Sequence, residues 1–253
     1  MDFASLGSGS KGNATLVRHE DTCLMVDCGF SVAQTERRLA RLGLAPADLT
    51  AILVTHEHSD HLGGVPKFAA KFDIPVFMTA GTAAHAQAKG LHSPNLLRLE
   101  ETLVIGDLEI LPVHVPHDAR EPAQYVFTDG ARRFGVLTDV GRLTPHIADI
   151  YTGLDAFLLE ANHDHDMLFG GPYPPSLKQR VGGGLGHLSN GQSADLLAMI
   201  DTSKLQHIVA AHLSENNNTP GHARAALAGA LGCEESWIAI ASQYGGLDWR
   251  NIR

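Results

Sequence analysis

Short apolar runs recur along the chain, and several of them end in polar residues. Runs of this length that are rich in β-branched residues predict buried strands, and longer amphipathic segments between them predict helices. The predicted strands cover residues 2–6, 14–18, 22–27, 51–55, 75–78, 108–115, 124–128, 132–138, 155–160, 206–211 and 237–240, and residues 96–115 alternate like paired strands. The predicted helices cover residues 31–42, 67–72, 80–89, 190–200 and 220–231. Alternation of strands with helices predicts an α/β fold.

Three stretches interrupt this pattern. Asp129-Gly130 lies between two predicted strands and is a strong signal for a hairpin turn. Residues 170–190 are rich in Gly and Pro and predict a long irregular loop, a kind of segment that is usually functional or disordered. Residues 7–13 are rich in Gly and Ser and predict a hairpin turn, although their amides and Lys11 could also contact an anion.

Composition narrows the class of protein. The sequence has 253 residues, which fits one domain over residues 1–253, and its 44% hydrophobic and 19% charged content is typical of soluble globular proteins. It has no apolar run long enough for membrane insertion, and its three unpatterned cysteines predict a reducing, cytoplasmic location. The net charge of -9 argues against a broad basic face for nucleic acid, but bound divalent ions would offset part of that charge locally.

Residues 56–61 read His-Glu-His-Ser-Asp-His and are the densest group of metal-ligand residue types in the chain. They follow the strand at 51–55 and precede the helix at 67–72, and open α/β sheets place their sites at such strand ends. Imidazole with carboxylate suits zinc and similar divalent ions. His56 and His58 can reach one ion, whereas Asp60 and His61 lie past the bend and can reach a second. The spacing excludes the helical zincin motif, which needs histidines four apart.

Further candidates stand where later predicted strands end. They are His117, Asp139 and His212. His117 could be structural, and Asp139 could cap a helix that starts near Thr144. Residues 162–166 form a second His/Asp cluster, which either supplies a ligand or begins a helix with acidic residues at its N-terminus.

Together these residues resemble the metallo-β-lactamase superfamily. Residues 56–61 are similar to its second motif, His-x-His-x-Asp-His, and their Asp-His ending resembles the dinuclear hydrolases rather than the lactamases. Asp27 matches the first motif, in which the aspartate supports the site without binding metal. His117 matches the third motif, and Asp139 matches the fourth, in which the aspartate bridges two ions.

This resemblance implies a four-layer αββα sandwich of two mixed sheets flanked by helices. It also implies two divalent ions, most simply Zn²⁺ with Mn²⁺ as an alternative, and a shared water that Asp60 orients. The implied ligands are His56, His58 and His117 for one ion, Asp60, His61 and His212 for the other, and Asp139 between them.

A narrower resemblance concerns the reaction. Residues 186–189, Gly-His-Leu-Ser, are similar to the His-x-Thr/Ser element of RNase Z-like phosphodiesterases, in which the histidine touches the phosphate or protonates the leaving oxygen. His187 would take that catalytic role, although it could instead be a loop histidine at a helix start. Several segments resemble the bacterial WalJ/YycJ (VicX) branch over almost the whole chain: residues 7–13, 54–61, 115–119, 162–164, 171–174, 186–190 and 211–217. One departure is the uncharged run at residues 181–185, where a more charged segment is expected.

That branch implies a cytosolic metal-dependent exonuclease or phosphodiesterase linked to DNA repair and cell-wall regulation. The candidate substrate contacts in the matching segments are Ser10, Asn13, Ser189 and Ser214. The favoured hypothesis is hydrolysis of DNA or RNA ends by attack of a hydroxide on phosphorus. The alternatives are a small-molecule phosphodiesterase and a non-catalytic regulatory protein of a cell-wall signalling system. No β-CASP-sized insertion fits between Asp139 and His187, which argues against an RNase J-type endonuclease.

Overall fold

The strands form two seven-stranded sheets in a computed structural model that describes residues 1–85, 88, 90–91 and 93–253. The first half of the chain supplies β1 (Asp2–Gly7), β2 (Ala14–His19), β3 (Thr22–Val26), β4 (Ala51–Leu53), β5 (Val76–Met78), β6 (Asn95–Leu96) and β7 (Leu103–Ile105). The rest of the chain supplies β8 (Leu108–His114), β9 (Ala123–Thr128), β10 (Arg133–Leu137), β11 (Ala156–Glu160), β12 (His207–Ala211), β13 (Ala239–Ile240) and β14 (Leu247–Asn251).

The two sheets repeat one strand arrangement. The first has the order β14-β1-β2-β3-β4-β5-β6 and the second the order β13-β12-β11-β10-β9-β8-β7. Counted from β14 in the first sheet and from β7 in the second, three antiparallel pairings are followed by three parallel ones. In the parallel part, Val26 pairs with Leu53 and Glu160 pairs with Ala211. Since the carboxyl ends of parallel strands meet at one edge, the polar residues that follow them are brought together.

The helices lie between these strands along the chain. They are α1 (Val32–Arg41), α2 (Ser59–Leu62), α3 (Val65–Phe72), α4 (Ala80–Ala83), α5 (Pro145–Ile150), α6 (His165–Gly170), α7 (Pro175–Val181), α8 (Asn190–Met199) and α9 (Pro220–Leu231). Ser31 and Ser189 begin α1 and α8 with capping boxes, and Thr219 caps α9. Over the described ranges, no helix combines the length and apolar character needed to cross a bilayer.

The hydrophobic core has three parts, one between the two sheets and one on the outer face of each sheet. Between the sheets, Phe3 stacks on Phe134 with ring centroids 4.4 Å apart. Leu39 and Phe68 cover the outer face of the first sheet from α1 and α3, and Leu227 of α9 packs on the outer face of the second sheet. Full burial of such a side chain contributes about 1.5–3 kcal/mol. The order helix, sheet, sheet, helix confirms the four-layer αββα sandwich.

Three element predictions differ from the structure. The helix predicted at 80–89 ends at Ala83, and residues 86, 87 and 89 lie outside the described part of the chain. The loop predicted at 170–190 contains α7, which starts with a proline at its first position. The strand predicted at 237–240 is reduced to β13, and the polar strand β14, which pairs with β1, was not predicted.

Candidate metal centre and active site

The cluster at residues 56–61 is formed by a strand end and a single helical turn. His56 lies three residues beyond the end of β4, His58 is the N-cap of α2 in extended backbone, and α2 carries Asp60 and His61. The Tyr125 hydroxyl donates to the Val54 carbonyl at 2.7 Å and holds the strand end in place. Gly29 packs so closely on the Asp60 carbonyl that a Cβ atom would not fit. The local chain therefore turns these side chains toward one point.

Three histidines form a first group of ring nitrogens. His58 Nδ1 lies 3.0 Å from His56 Nε2 and 3.3 Å from His117 Nε2. The other ring nitrogens face oriented oxygens, because His56 Nδ1 is 3.0 Å from Thr55 Oγ1 and His117 Nδ1 is 3.1 Å from the Gly186 carbonyl. Nitrogens bound at about 2.0–2.1 Å to one tetrahedral ion lie about 3.4 Å apart. The observed separations fit that arrangement.

A second group combines a carboxylate with two histidines. His61 Nε2 lies 3.5 Å and His212 Nε2 3.7 Å from Asp60 Oδ2. His61 Nδ1 is 2.8 Å from Asp27 Oδ2, so this aspartate orients the ring from behind. Asp27 also accepts hydrogen bonds from the Thr55 amide and hydroxyl, both at 2.8 Å. The structure thus places Asp27 behind the group, where the sequence predicted a supporting residue.

Asp139 lies against both groups. Its Oδ2 is 3.3 Å from His61 Nε2 and its Oδ1 is 3.9 Å from His117 Nε2. Asp139 Oδ2 and His212 Nε2 are buried and have no hydrogen-bond partner among the residues that the structure describes. Two buried polar atoms without hydrogen-bond partners in the described chain, surrounded by imidazole and carboxylate, fit bound divalent cations better than an empty pocket. The sequence-predicted ligand candidates are therefore brought together by the fold, while their individual roles stay predictions.

Glu160 is the residue of this site that the sequence analysis missed. It is fully buried at the end of β11 and accepts hydrogen bonds from the Asp139 amide at 3.1 Å and the Leu188 amide at 3.0 Å. Its Oε1 also lies 2.9 Å from His187 Nδ1 and 3.1 Å from His212 Nδ1. One carboxylate thereby orients two histidines. The available signal was a carboxylate closing an otherwise apolar strand.

The charges of the centre explain its pKa pattern. Burial opposes ionisation of Glu160, but the charge of His187 and hydrogen bonds from His187 and His212 outweigh burial and lower its pKa. Burial lowers the pKa of His212, but the neighbouring carboxylates of Asp139, Asp60 and Glu160 outweigh burial and raise the pKa to about 10. Burial and the neighbouring histidines hold the pKa of His56 well below its ordinary value. Metal binding would displace protons from the histidines of raised pKa, so affinity should rise with pH.

Several backbone positions at the site adopt left-handed conformations. Asp27, Asp139 and His212 have φ values of 63°, 58° and 54°. Each of these residues lies just beyond the end of a strand. Such conformations of non-glycine residues cost about 1–3 kcal/mol each and persist where the surrounding structure fixes them, often at functional sites. The turn that each makes directs its side chain into the centre.

A cleft of about 350 Å³ opens onto this centre. Ser10, Ser214 and His187 line it, and Arg180 of α7 is the only Lys or Arg among the described lining residues. Arg180 Nε donates to Asp118 Oδ2 at 2.9 Å. The helix α7, which lies in the segment predicted to be an irregular loop, therefore supplies the arginine of this cleft.

The remaining substrate candidates have structural partners. The Asn13 side chain is buried and donates to the Gly9 carbonyl at 3.1 Å and the Asp60 carbonyl at 3.3 Å, which ties the Gly/Ser turn to α2. Ser189 Oγ accepts from the Gln192 amide at 3.2 Å as the cap of α8. Both roles stabilise the walls of the cleft. Contact of either residue with substrate stays a prediction.

The second His/Asp cluster begins a helix. Asp164 caps α6 and accepts from the Met167 amide at 3.0 Å. His163 is buried next to Asn162, with Nδ1 3.4 Å from its Oδ1, and His165 is exposed. Burial lowers the pKa of His163 to about 4, although the charge of Glu160 opposes the shift. Of the two open interpretations, the geometry favours the helix N-terminus.

A layered sandwich with two adjoining groups of metal-ligating side chains defines a metal-dependent hydrolase. Residues 7–197 match the model of the metallo-beta-lactamase superfamily, and the chain belongs to that superfamily. Its members typically bind two divalent metals, and the candidate ligand groups here are consistent with that number.

Two relatives cover most of the chain. Exodeoxyribonuclease YycJ of Bacillus anthracis is 35% identical over 248 residues, 96% of this chain and 93% of the relative. Exodeoxyribonuclease WalJ of Streptococcus pneumoniae is 36% identical over 222 residues, 85% of this chain and 82% of the relative. Among solved structures, the metallo-beta-lactamase fold protein YhfI of Bacillus subtilis superposes with a TM-score of 0.76 at 16% identity and covers 99% of both chains. That likeness shows the shared fold.

Proposed function

We propose that the protein is an exonuclease that hydrolyses phosphodiester bonds at the ends of DNA strands with two divalent ions, Zn²⁺ or alternatively Mn²⁺. The relatives named as exodeoxyribonucleases support this proposal, since they match at 35–36% identity over most of the chain. RNA ends are the closest competing substrate. Enzymes of either kind would use the same centre.

One observation carries the choice of a phosphodiester. His187 lies at the cleft wall with Nδ1 held 2.9 Å from the buried Glu160 carboxylate, which leaves its Nε2 for substrate. The hydrogen bond fixes the ring direction, and the general acid would be the imidazolium form, which carries a proton on Nε2 as well as on Nδ1. A histidine in this position can protonate the oxygen that leaves phosphorus. A thioester has a better leaving group and does not need this assistance.

The chain's residues divide the remaining work. His56, His58 and His117 would hold one ion, Asp60, His61 and His212 the other, and Asp139 would contact both. Bound ions would supply Lewis acidity toward the phosphate and acidify the attacking water. The side-chain amide of Asn13 donates from Nδ2 to Asp60 Oδ2 at 3.3 Å and holds this carboxylate in place. Asp60 would accept a hydrogen bond from the attacking water, which fixes the direction of attack.

Size and charge favour strand ends as substrate. A cleft of about 350 Å³ is at the small end for ligand sites and admits the end of one strand rather than a duplex. The net charge of -9 also predicts few phosphate contacts. The nucleic-acid affinity should then depend only weakly on salt, because each neutralised phosphate adds about 0.9 to the slope on duplex DNA.

A time course on end-labelled linear, circular and single-stranded DNA tests the proposal. We expect loss of mononucleotides from linear substrates, fastest from single-stranded or frayed ends, where unpairing costs little. Equal cleavage of circular and linear DNA would contradict exonuclease action. Bis-p-nitrophenyl phosphate and a thioester, assayed in parallel, separate the chemistries: turnover of the thioester alone would contradict the phosphodiester assignment.

The small cleft also favours a second candidate, a small-molecule phosphodiesterase. In that case bis-p-nitrophenyl phosphate would be hydrolysed while oligonucleotides of every form remained intact. The RNA alternative is tested with the same end-labelled set made of RNA.

A further inference from the structure

A tyrosine and a lysine stand at the rim of the cleft, outside the metal centre. Ser10 and Ser214 line the cleft, and their chain neighbours Lys11 and Glu215 form an ion pair at 2.6 Å. Lys11 Nζ also donates to the Tyr244 hydroxyl at 2.7 Å. These contacts place the Tyr244 ring beside the opening through which a substrate would enter.

Tyr244 is exposed but its backbone is fixed. Its side chain is the most exposed of the large apolar and aromatic residues, at 69%, within the described chain. Arg38 Nη1 donates to the Tyr244 carbonyl at 3.1 Å, and the Gly246 amide donates to the Ser242 carbonyl at 3.0 Å across the turn. The side chain of Gln243 accepts from the Lys11 amide at 2.8 Å, which joins this turn to the Gly/Ser turn. A ring held in place this way loses little freedom when a planar group stacks on it.

The Lys11 ammonium can exchange its ion-pair partner. The Lys11 ammonium is 5.3 Å from the centroid of the Tyr244 ring, and its side chain is 55% exposed. Exposed ion pairs are weak, so a phosphate can replace the Glu215 carboxylate at little cost. An aromatic face beside a cation is the combination with which proteins bind base and phosphate of single-stranded nucleic acid.

We propose that Tyr244 and Lys11 form a nucleotide shelf for a single-stranded polynucleotide whose end lies in the cleft. The base of a nucleotide next to the scissile one stacks on Tyr244, and its phosphate takes the place of Glu215 on Lys11. This inference rests on the proposed nuclease function, which places the end of the strand in the cleft and so sets the direction of the strand. It sets a preference for unpaired ends, because a base within a duplex offers no free face.

The stacking part is tested by binding, independently of turnover. A fluorescein-labelled, phosphorothioate-linked single strand that resists hydrolysis is titrated with the metal-loaded protein, and its anisotropy gives Kd. Tyr244→Ala should weaken binding about 5- to 150-fold, the range for loss of one stacked base. Tyr244→Phe should keep most of the affinity, because it retains the ring.

Trp237 provides a matched control. It is 40% exposed and lies just before β13, which runs parallel to β12, so Trp237 is at the opposite end of these strands from His212. Trp237→Ala should leave oligonucleotide binding unchanged. Turnover of bis-p-nitrophenyl phosphate by Trp237→Ala should also equal that of the wild type.

The phosphate part is tested by salt dependence. Lys11→Met should make the slope of log K against log salt shallower by about 0.7, the value for one phosphate contact on a single strand. Glu215→Gln should tighten binding of the oligonucleotide, because it removes the carboxylate that competes with the phosphate for Lys11. Equal slopes for wild type and Lys11→Met would contradict the phosphate contact.

The outcomes separate this inference from the proposed function. Unchanged binding by a folded Tyr244→Ala, checked by its thermal unfolding, overturns the shelf even if the wild type digests DNA ends. Weaker binding by Tyr244→Ala without any digestion by the wild type keeps the shelf and overturns the nuclease. A wild type that hydrolyses the small diester but binds no oligonucleotide overturns both.

Discussion

The two halves of the metal centre are constructed in different ways. The local half, residues 56–61, supplies four candidate ligands from one strand end and one helical turn. The distributed half consists of His117, Asp139, Glu160 and His212, each at or beyond the end of a different strand of the second sheet. The local half depends on nearby chain geometry, and the distributed half depends on how four strands pair.

This difference shows up in the residues that orient the ligands. In the local half, Asp27 orients one histidine, and Thr55 lies beside another. In the distributed half, Glu160 forms hydrogen bonds with His212, with the neighbouring His187 and with the amides that follow β10. A single buried carboxylate therefore sets much of that half's geometry. We expect the distributed half to be the more easily broken by one substitution.

The largest expected effect joins the two halves. Asp139→Ala removes the carboxylate that contacts both groups, so the protein should lose at least one of its two expected ions, with hydrolysis falling to background. Elemental analysis of the purified, metal-replete protein measures this loss. His163→Ala is the control and should keep both ions, because the structure places His163 at a helix start. A single ion in the wild type, unchanged in Asp139→Ala, would contradict the dinuclear centre.

The next effect separates chemistry from metal binding. His187→Ala should lower kcat by about 10²–10⁴-fold, the range for a general acid–base group, while metal content and thermal unfolding stay close to wild type. Steady-state kinetics on end-labelled DNA or on bis-p-nitrophenyl phosphate measures this decrease in kcat. Loss of an ion in this variant would indicate that His187 binds metal and is not the general acid. That outcome is the alternative to test because His187 and His212 both contact Glu160.

A matched pair of isosteric substitutions compares the halves directly. Glu160→Gln should lower metal affinity or activity by about 10–100-fold, as is usual for partners that orient metal ligands. Asp27→Asn, the corresponding change behind the local half, should have a smaller effect because it faces only His61 among the ligand histidines. Competition with a chelating dye measures both affinities. A greater loss in Asp27→Asn would reverse the expected order of the two halves.

The smallest effect concerns stability and pH. His163 has a folded pKa of about 4, below the ordinary value of 6.5. The unfolded chain therefore binds an additional proton as the pH falls from about 6.5 to about 4, and this group's contribution to stability is lost across that window. Chemical unfolding of wild type and His163→Ala across that window measures the difference. The variant should show the weaker pH dependence, and parallel curves would rule out this contribution.

Contiguous features were predictable from the sequence. The metal-binding residue types of the local half stand together in the chain, so no knowledge of strand pairing was needed to find them. The αββα fold class is confirmed, and it followed from the family resemblance and the strand–helix alternation. His117, Asp139 and His212 could be proposed as ligands because each follows a predicted strand, and their roles stay predictions.

Features that depend on distant pairing were missed. Glu160 acquires its role only when β11 lies between β10 and β12, and its local signal, an acid at the end of an apolar strand, does not by itself indicate a site. β14 contains the exposed Asp248 and Arg250 and lacks the apolar pattern of a buried strand, so its place follows from the partner β1. α7 was hidden by the Gly and Pro residues around it.

The pairing of β14 with β1 also bears on how the protein is made. The outer edge of β1 stays open during synthesis until residues 247–251 emerge, about 240 residues after β1 itself. At about 5–20 residues per second on the ribosome, that interval lasts about 12–50 s. An open strand edge is a template for pairing with another chain. The nascent protein therefore carries an aggregation-prone edge for most of its translation, and early termination would leave that edge exposed to chaperones and proteases.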